Sequence, residues 1–393
     1  MRRITCLLSA AVVATTFGLT TSAVRADEPL TPRSAVPKHD ALKKTATIPN
    51  FRIGGTYDLD NPEAWEQGGV GGTTLEELGA EPLRIGYITV GTPETNENGE
   101  IVNAVLINSY YSGDATNMYE FWYDGQEGNE FSGGALVGPG RTIDTDKHFV
   151  VMVDALGLWG ASKPSDGLGM NFPQYSYMDM VQASYRLLRD ELNVAELDLV
   201  TGVSMGATQT YVWGVMHPDF AKAILPVGGT TQSDGGDPVG KWTFQLATSA
   251  IKSDPVWQET GGDYYDLPKE QHPNNGVAFL WSILSLTGYD FDFRTTQPWE
   301  TVEKDVFYWD RPNQNASSGN FARAQVFDAV DLLYRNEAGN LHNINDELDR
   351  VRSRALVMHV KNDQWLNFQL AEKAAERIPG ADLIGVADSP ISH

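Results

Sequence analysis

Residues 202–206 read Gly-Val-Ser-Met-Gly and place Ser204 at the centre of a Gly-x-Ser-x-Gly pattern. A serine hydroxyl attacks a carbonyl carbon only when a base removes its proton. In a chain with 38 glycines the five-residue pattern is weak by itself, and its surroundings give it meaning. Residues 197–201 (Leu-Asp-Leu-Val-Thr) read as a strand before it and residues 207–216 as a helix after it. That strand–turn–helix sequence is what exposes a nucleophile at the edge of a sheet. The amides at the start of the helix favour negative charge beside it. In such an arrangement the acid and the base follow the serine in chain order. The acid selected is Asp363, in Lys361-Asn362-Asp363 just beyond an apolar run at 356–360. A carboxylate there holds an imidazole in the correct tautomer. The only histidine after Asp363 is His393, which becomes the expected base. His39, His148 and His217 fail the order, His272 and His342 fall in an irregular stretch, and His359 lies inside a predicted strand as a core residue. The tetrahedral oxyanion needs two backbone N–H donors. Met205, after the nucleophile, and Tyr111, after the apolar run at 104–108, are the candidates.

These residues need a scaffold, and the apolar runs supply one. Near-continuous Val/Ile/Leu segments at 104–108, 149–156, 197–203, 223–227, 355–360 and 383–387 read as strands buried on both faces. An alternating segment at 83–90 precedes them. Helical patterns lie between several of the runs, at 178–192, 205–216 and 366–378. Strand and helix alternate, so the fold class is α/β with a mostly parallel sheet. The core is expected over 81–230 and again over 351–393. The alternation breaks between 231 and 350, a stretch carrying Trp242, Trp257, Trp281, Trp299 and Trp309. It is too long for a loop and too apolar for a linker, so a helical cap over the sheet is expected. Residues 27–80 read as a loosely ordered lead-in, and Gly68-Gly69-Val70-Gly71-Gly72 within it as a flexible loop without the Lys-Ser/Thr of a phosphate-binding loop.

Composition narrows the function. The 393 residues hold 52 Asp+Glu against 29 Lys+Arg, a net charge of −23. That balance disfavours nucleic acid and anionic membranes as partners. The only cysteine is Cys6, so neither a disulfide framework nor a thiol nucleophile is available to the body of the chain. No His-Glu-x-x-His and no calcium loop occurs, and neither metal nor cofactor is implied. Arg2 and Arg3 precede an apolar run, followed by Val24-Arg25-Ala26. Residues 1–26 therefore read as a cleaved export signal, with the mature protein periplasmic or secreted and without stable membrane insertion.

The segments around these residues resemble the homoserine O-acetyltransferase family of the α/β-hydrolase superfamily. The likeness is carried by Tyr110-Tyr111-Ser112-Gly113-Asp114, Val137-Gly138-Pro139-Gly140, Ser162-Lys163-Pro164, Ser204-Met205-Gly206 with Pro218-Asp219, and Ile251 to Trp257. It implies an α/β-hydrolase fold with a helical cap, a triad of Ser204, Asp363 and His393, and acyl transfer through an acyl-serine. Where the family carries an arginine for the homoserine carboxylate, the stretch reads Leu286-Thr287-Gly288-Tyr289-Asp290. Ser392 stands where the family has glycine before its histidine, and a further helix is expected after His393. These departures, with export away from cytoplasmic acetyl-CoA, imply water rather than an amino acid as acceptor. The reading is an esterase-like hydrolase of a small acyl ester. A true acyltransferase using acetyl-CoA, or a non-catalytic binding protein, are the alternatives, and a homodimer is left open.

Overall fold

The structure is a computed structural model that describes residues 42–123, 136–234, 236–288, 295 and 326–387. Residues 1–26 and His393 lie outside the described residues.

Eight strands form one sheet among the described residues. They are β1 (Lys44–Ile48), β2 (Leu83–Val90), β3 (Ala104–Asn108), β4 (Phe149–Val153), β5 (Leu197–Val203), β6 (Ala223–Val227), β7 (Arg354–Val360) and β8 (Asp382–Val386). Their spatial order is β1-β2-β4-β3-β5-β6-β7-β8. The two pairings of β2 are antiparallel and all the others are parallel. The sheet is therefore mostly parallel, and every residue of β3 and β4 is buried. Helices cover both faces, and two apolar clusters form the core, the larger built around residues such as Leu106, Val200 and Trp213, the smaller around Ile107, Met118 and Met152. No helix among the described residues is long and apolar enough to cross a membrane.

Helix α1 (Ala115–Trp122) packs on β2 and β4, α3 (Met205–Met216) packs on β3, β5 and β6, and α2 (Tyr177–Arg186) packs against α3. The helix expected over 178–192 is shorter: α2 ends at Arg186 and continues as a single π-helical turn, Leu187–Glu191. Between β6 and β7 the described residues form α4 (Pro238–Lys252), α5 (Pro255–Thr260), α6 (Asn274–Gly288) and α7 (Ala329–Asn340), with no strand among them. Helix α8 (Phe368–Arg377) connects β7 to β8.

The lead-in is more ordered than its sequence suggests. Residues 44–48 add an antiparallel edge strand to β2, with Ala46 and Ile48 buried on one side in a two-residue alternation. Nor are residues 68–72 a free loop. A Cβ on Gly69 would lie 1.9 Å from the carbonyl oxygen of Gly54, and one on Gly68 2.1 Å from that of Arg52. The glycines let two backbones pack face to face, which composition alone reads as flexibility.

Register places the strand ends that matter at one edge. Asn108 pairs with Gly202, Val227 with Val203, and Val227 with Met358. The segments leaving β3, β5, β6 and β7 therefore emerge side by side. In open parallel sheets this carboxyl edge is where ligands bind.

Candidate active site

Ser204 stands between the last residue of β5 and the first of α3, at φ 58° and ψ −123°. A non-glycine residue pays on the order of 1–3 kcal/mol for such a conformation. The surroundings enforce it. The Ser204 N–H donates to the carbonyl of Val227 at 3.0 Å, and its own carbonyl accepts from the N–H groups of Ala207 and Thr208 at 2.9 and 3.0 Å. A Cβ on Gly202 would come within 2.6 Å of the carbonyl carbon of Gly206, and one on Gly206 within 2.5 Å of the carbonyl oxygen of Asn108. Both glycines are thus demanded by backbone contact, and the sharp turn lifts the serine side chain out of the sheet. Met205 is the first residue of α3, so its N–H is one that helix geometry leaves without an intrahelical acceptor.

The segment after β3 packs against the same helix start. Gln209 donates from Nε2 to the carbonyl of Ser109 at 3.0 Å, and Asn108 donates from Nδ2 to the Thr210 hydroxyl at 3.3 Å. Tyr111 is buried here. Its hydroxyl donates to Asn336 Oδ1 at 2.6 Å, and burial pushes its phenol well above the ordinary range. Its carbonyl accepts from Arg335 Nη1 at 2.7 Å. Arg335 and Asn336, both on α7, are site-supporting residues that the sequence did not announce. The available signal was an arginine beside Leu332 and Leu333 on a buried helix, which reads equally well as packing.

Asp363 lies just past β7 and is buried. Its Oδ1 accepts the N–H groups of Trp365 and Leu366 at 2.9 and 2.8 Å, which fixes the carboxylate on its loop. His359 on β7 is buried, as its strand position predicts, and its Nε2 lies 3.6 Å from Asp363 Oδ2. Asp237, at the start of α4, is a second buried carboxyl close enough to feel Asp363. Burial raises its pKa, and the charge of Asp363 raises it further against the backbone N–H groups of Gly240 and Val239.

Ser204, Met205 and Tyr111 line one small cavity with Tyr177, Phe244 and Trp365. Its volume is about 20 Å³, room for little more than one water. Phe244 fills the space between its neighbours, with ring centroids 6.3 Å from Tyr111 and 6.1 Å from Trp365. The structure thus brings Ser204, Met205 and Tyr111 to one place and sets Asp363 on the loop that supplies Trp365. The expected base, His393, lies outside the described residues. No group of side chains suited to a metal ion occurs among the described residues.

A homoserine O-acetyltransferase of Desulfotalea psychrophila is 32 % identical over 316 residues, spanning 72 % of this chain and 75 % of that protein. A probable esterase of Corynebacterium glutamicum is 27 % identical over 351 residues, spanning 85 % of this chain and 90 % of that protein. Among solved structures, an acetylester hydrolase from Corynebacterium glutamicum superimposes with a TM-score of 0.69 at 21 % identity, covering 91 % of this chain and 92 % of that one, and so has the same fold. No protein-family profile matches the chain. Identity at this level, over most of both chains and on a shared α/β-hydrolase architecture, makes this an α/β-hydrolase-type enzyme of acyl hydrolysis or transfer, and a member of the homoserine O-acetyltransferase family.

Proposed function

We propose that the protein is a serine acyl hydrolase of short-chain esters. The observation that carries this reading is the strained Ser204 at the start of α3, facing a cavity of about 20 Å³ walled by Tyr111, Phe244 and Trp365. A space that small excludes acyl chains much longer than acetyl, and its aromatic walls suit an apolar group.

In this mechanism Ser204 Oγ attacks the ester carbonyl carbon while His393 takes the hydroxyl proton. Asp363 holds the imidazole and stabilises its charge. The N–H groups of Met205 and Tyr111 hold the oxyanion. Collapse expels the alcohol, which takes the proton back from His393. Water then attacks the acyl-serine by the same route and releases the acid. Read as an export signal, residues 1–26 would set this chemistry outside the cytoplasm.

The test is intact mass after treatment with a fluorophosphonate, beside Ser204→Ala, together with hydrolysis of p-nitrophenyl acetate. One adduct and turnover for the wild type, with neither for the variant, is expected. No adduct on a folded wild type would overturn the catalytic reading and leave a binding protein on a hydrolase fold. The 32 % identity to a homoserine O-acetyltransferase supports acyl transfer as a second reading. Product formation that requires an added alcohol or amino-acid acceptor would favour it over hydrolysis.

A further inference from the structure

A second, larger cavity of about 290 Å³ lies between the segment after β4, the start of α6 and the start of α7. It shares no lining residue with the cavity at Ser204. The two are separated by aromatic side chains: the Trp281 ring lies 6.0 Å from Tyr111 on one side and 4.8 Å from Phe327 on the other. Phe327 in turn packs 4.8 Å from Trp159, and both line the larger cavity. The Trp159 indole N–H donates to the carbonyl of Ser112, which fixes that ring.

The inner end of this cavity is acidic. Asp328 Oδ1 accepts the hydroxyls of Tyr264 and Tyr265 at 3.0 and 3.1 Å and the N–H groups of Val330 and Asp331 at 2.9 and 3.3 Å. Four donors on one oxygen hold this carboxylate rigidly in place. Its other oxygen, Oδ2, accepts no hydrogen bond among the described residues. Asp331 stands one turn of the chain away, held by the N–H and hydroxyl of Ser165 at 2.8 and 2.7 Å. Two cations also border the space. Lys163 is paired with Asp166, and Lys269 is exposed at the mouth. His272 is tied to the chain, with Nε2 3.1 Å from the carbonyl of Leu267. The Asp328 carboxylate is therefore half-buried and rigidly held, and positive charge is either locally paired or solvated.

We propose that this cavity is a binding site for a compact organic ammonium ion. The ammonium would sit against Asp328 Oδ2, with the rings of Trp159, Phe327 and Tyr265 supplying the apolar and cation–π part of the contact. An anion is disfavoured by the Asp328 carboxylate, and a neutral apolar ligand would leave its Oδ2 desolvated without a partner. The net charge of −23 adds long-range attraction for cations.

Calorimetric titration of the full chain with choline, and with its uncharged isostere 3,3-dimethylbutan-1-ol, tests this. Choline is expected to bind at least about tenfold more tightly than the isostere. Asp328→Asn keeps a side-chain oxygen to cap α7 and is expected to remove that preference. Lys269→Glu, at an exposed position that folding tolerates, is expected to tighten choline about threefold by removing a repulsive charge from the mouth. Equal affinity for the two probes, no heat with choline, or full choline affinity in folded Asp328→Asn would each overturn the proposal. The measurement needs no turnover at Ser204, so it stands apart from the esterase reading.

Discussion

Arg335 Nη1 donates to the carbonyl oxygen of Tyr111 at 2.7 Å, from a side chain that is fully buried. Its Nη2 donates to the carbonyls of Ala155 and Leu156 at 3.1 and 3.0 Å. One guanidinium on α7 thus ties the segment after β3 to the segment after β4, and Tyr111 is positioned from across the molecule. Lysine has no planar fork and reaches at most part of this set. Arg335→Lys is expected to cost about 2–5 kcal/mol in urea unfolding, because buried carbonyls lose charge-assisted partners. Ester turnover in the folded variant should also fall about tenfold as the Tyr111 backbone shifts. Unchanged stability and turnover would show that the three bonds position nothing.

The turn at Ser204 gives a second expectation. Gly206→Ala places a methyl where the backbone oxygen of Asn108 already stands, 2.5 Å from the ideal Cβ. Since the obstacle is backbone, relief requires moving β3 or α3. A loss of about 2–4 kcal/mol, with a slower fluorophosphonate reaction at Ser204, is expected from thermal unfolding and labelling kinetics. A fully stable variant that labels at the wild-type rate would mean that the two backbones separate easily.

Phe244 is the wall expected to set acyl length. Phe244→Ala removes the ring between Tyr111 and Trp365. The kcat/KM ratio for p-nitrophenyl butyrate over acetate should rise about tenfold, as enlarging an apolar pocket by a few methylenes allows. The same cavity should lower stability by about 3–5 kcal/mol. An unchanged ratio in a folded variant would move the acyl group elsewhere.

Asp331 predicts a pH dependence of stability. Burial, and then the charge of Asp328, push its carboxyl up to about 8. In the unfolded chain the same group titrates near 3.9. Between about pH 4 and pH 8 the native state therefore holds a proton that the unfolded state lacks. Stability contributed at this position falls as pH rises through that window, by at most about 1.4 kcal/mol per pH unit, and levels off above it. Asp331→Asn should remove this slope. Urea unfolding of both proteins at pH 5, 6, 7 and 8 checks it: the variant should gain on the wild type steadily, and a constant difference would refute the shift.

Much of this site is local in the chain, and the local part was legible. The turn at Ser204 needs a strand, two glycines and a helix in immediate succession, and all three lie within twenty residues. His359 was readable as a core residue because its strand neighbours are apolar. Other parts were hidden because their partners are remote. Residues 44–48 become a strand by pairing with β2, about forty residues away, and nothing in Lys-Thr-Ala-Thr-Ile announces an edge strand beside a lysine- and proline-rich stretch. Residues 68–72 looked flexible because glycine in a loop and glycine under a second backbone have the same composition.

The sequence by itself determined the α/β class and the strand–turn–helix that holds Ser204 and Met205. Each rests on periodicity or spacing within one segment, which short-range sterics and side-chain burial translate directly into structure. Only the tertiary structure decided that Tyr111 shares a cavity with Ser204, that Phe244 and Trp365 close it, and that Arg335 braces the loop opposite. It alone formed the acidic cavity at Asp328, from segments at 158–165, 265–277 and 326–331. The bond from Arg335 to Tyr111 alone joins residues 224 positions apart. These relationships arise from helix packing and strand order, which a one-dimensional pattern of side chains does not encode locally.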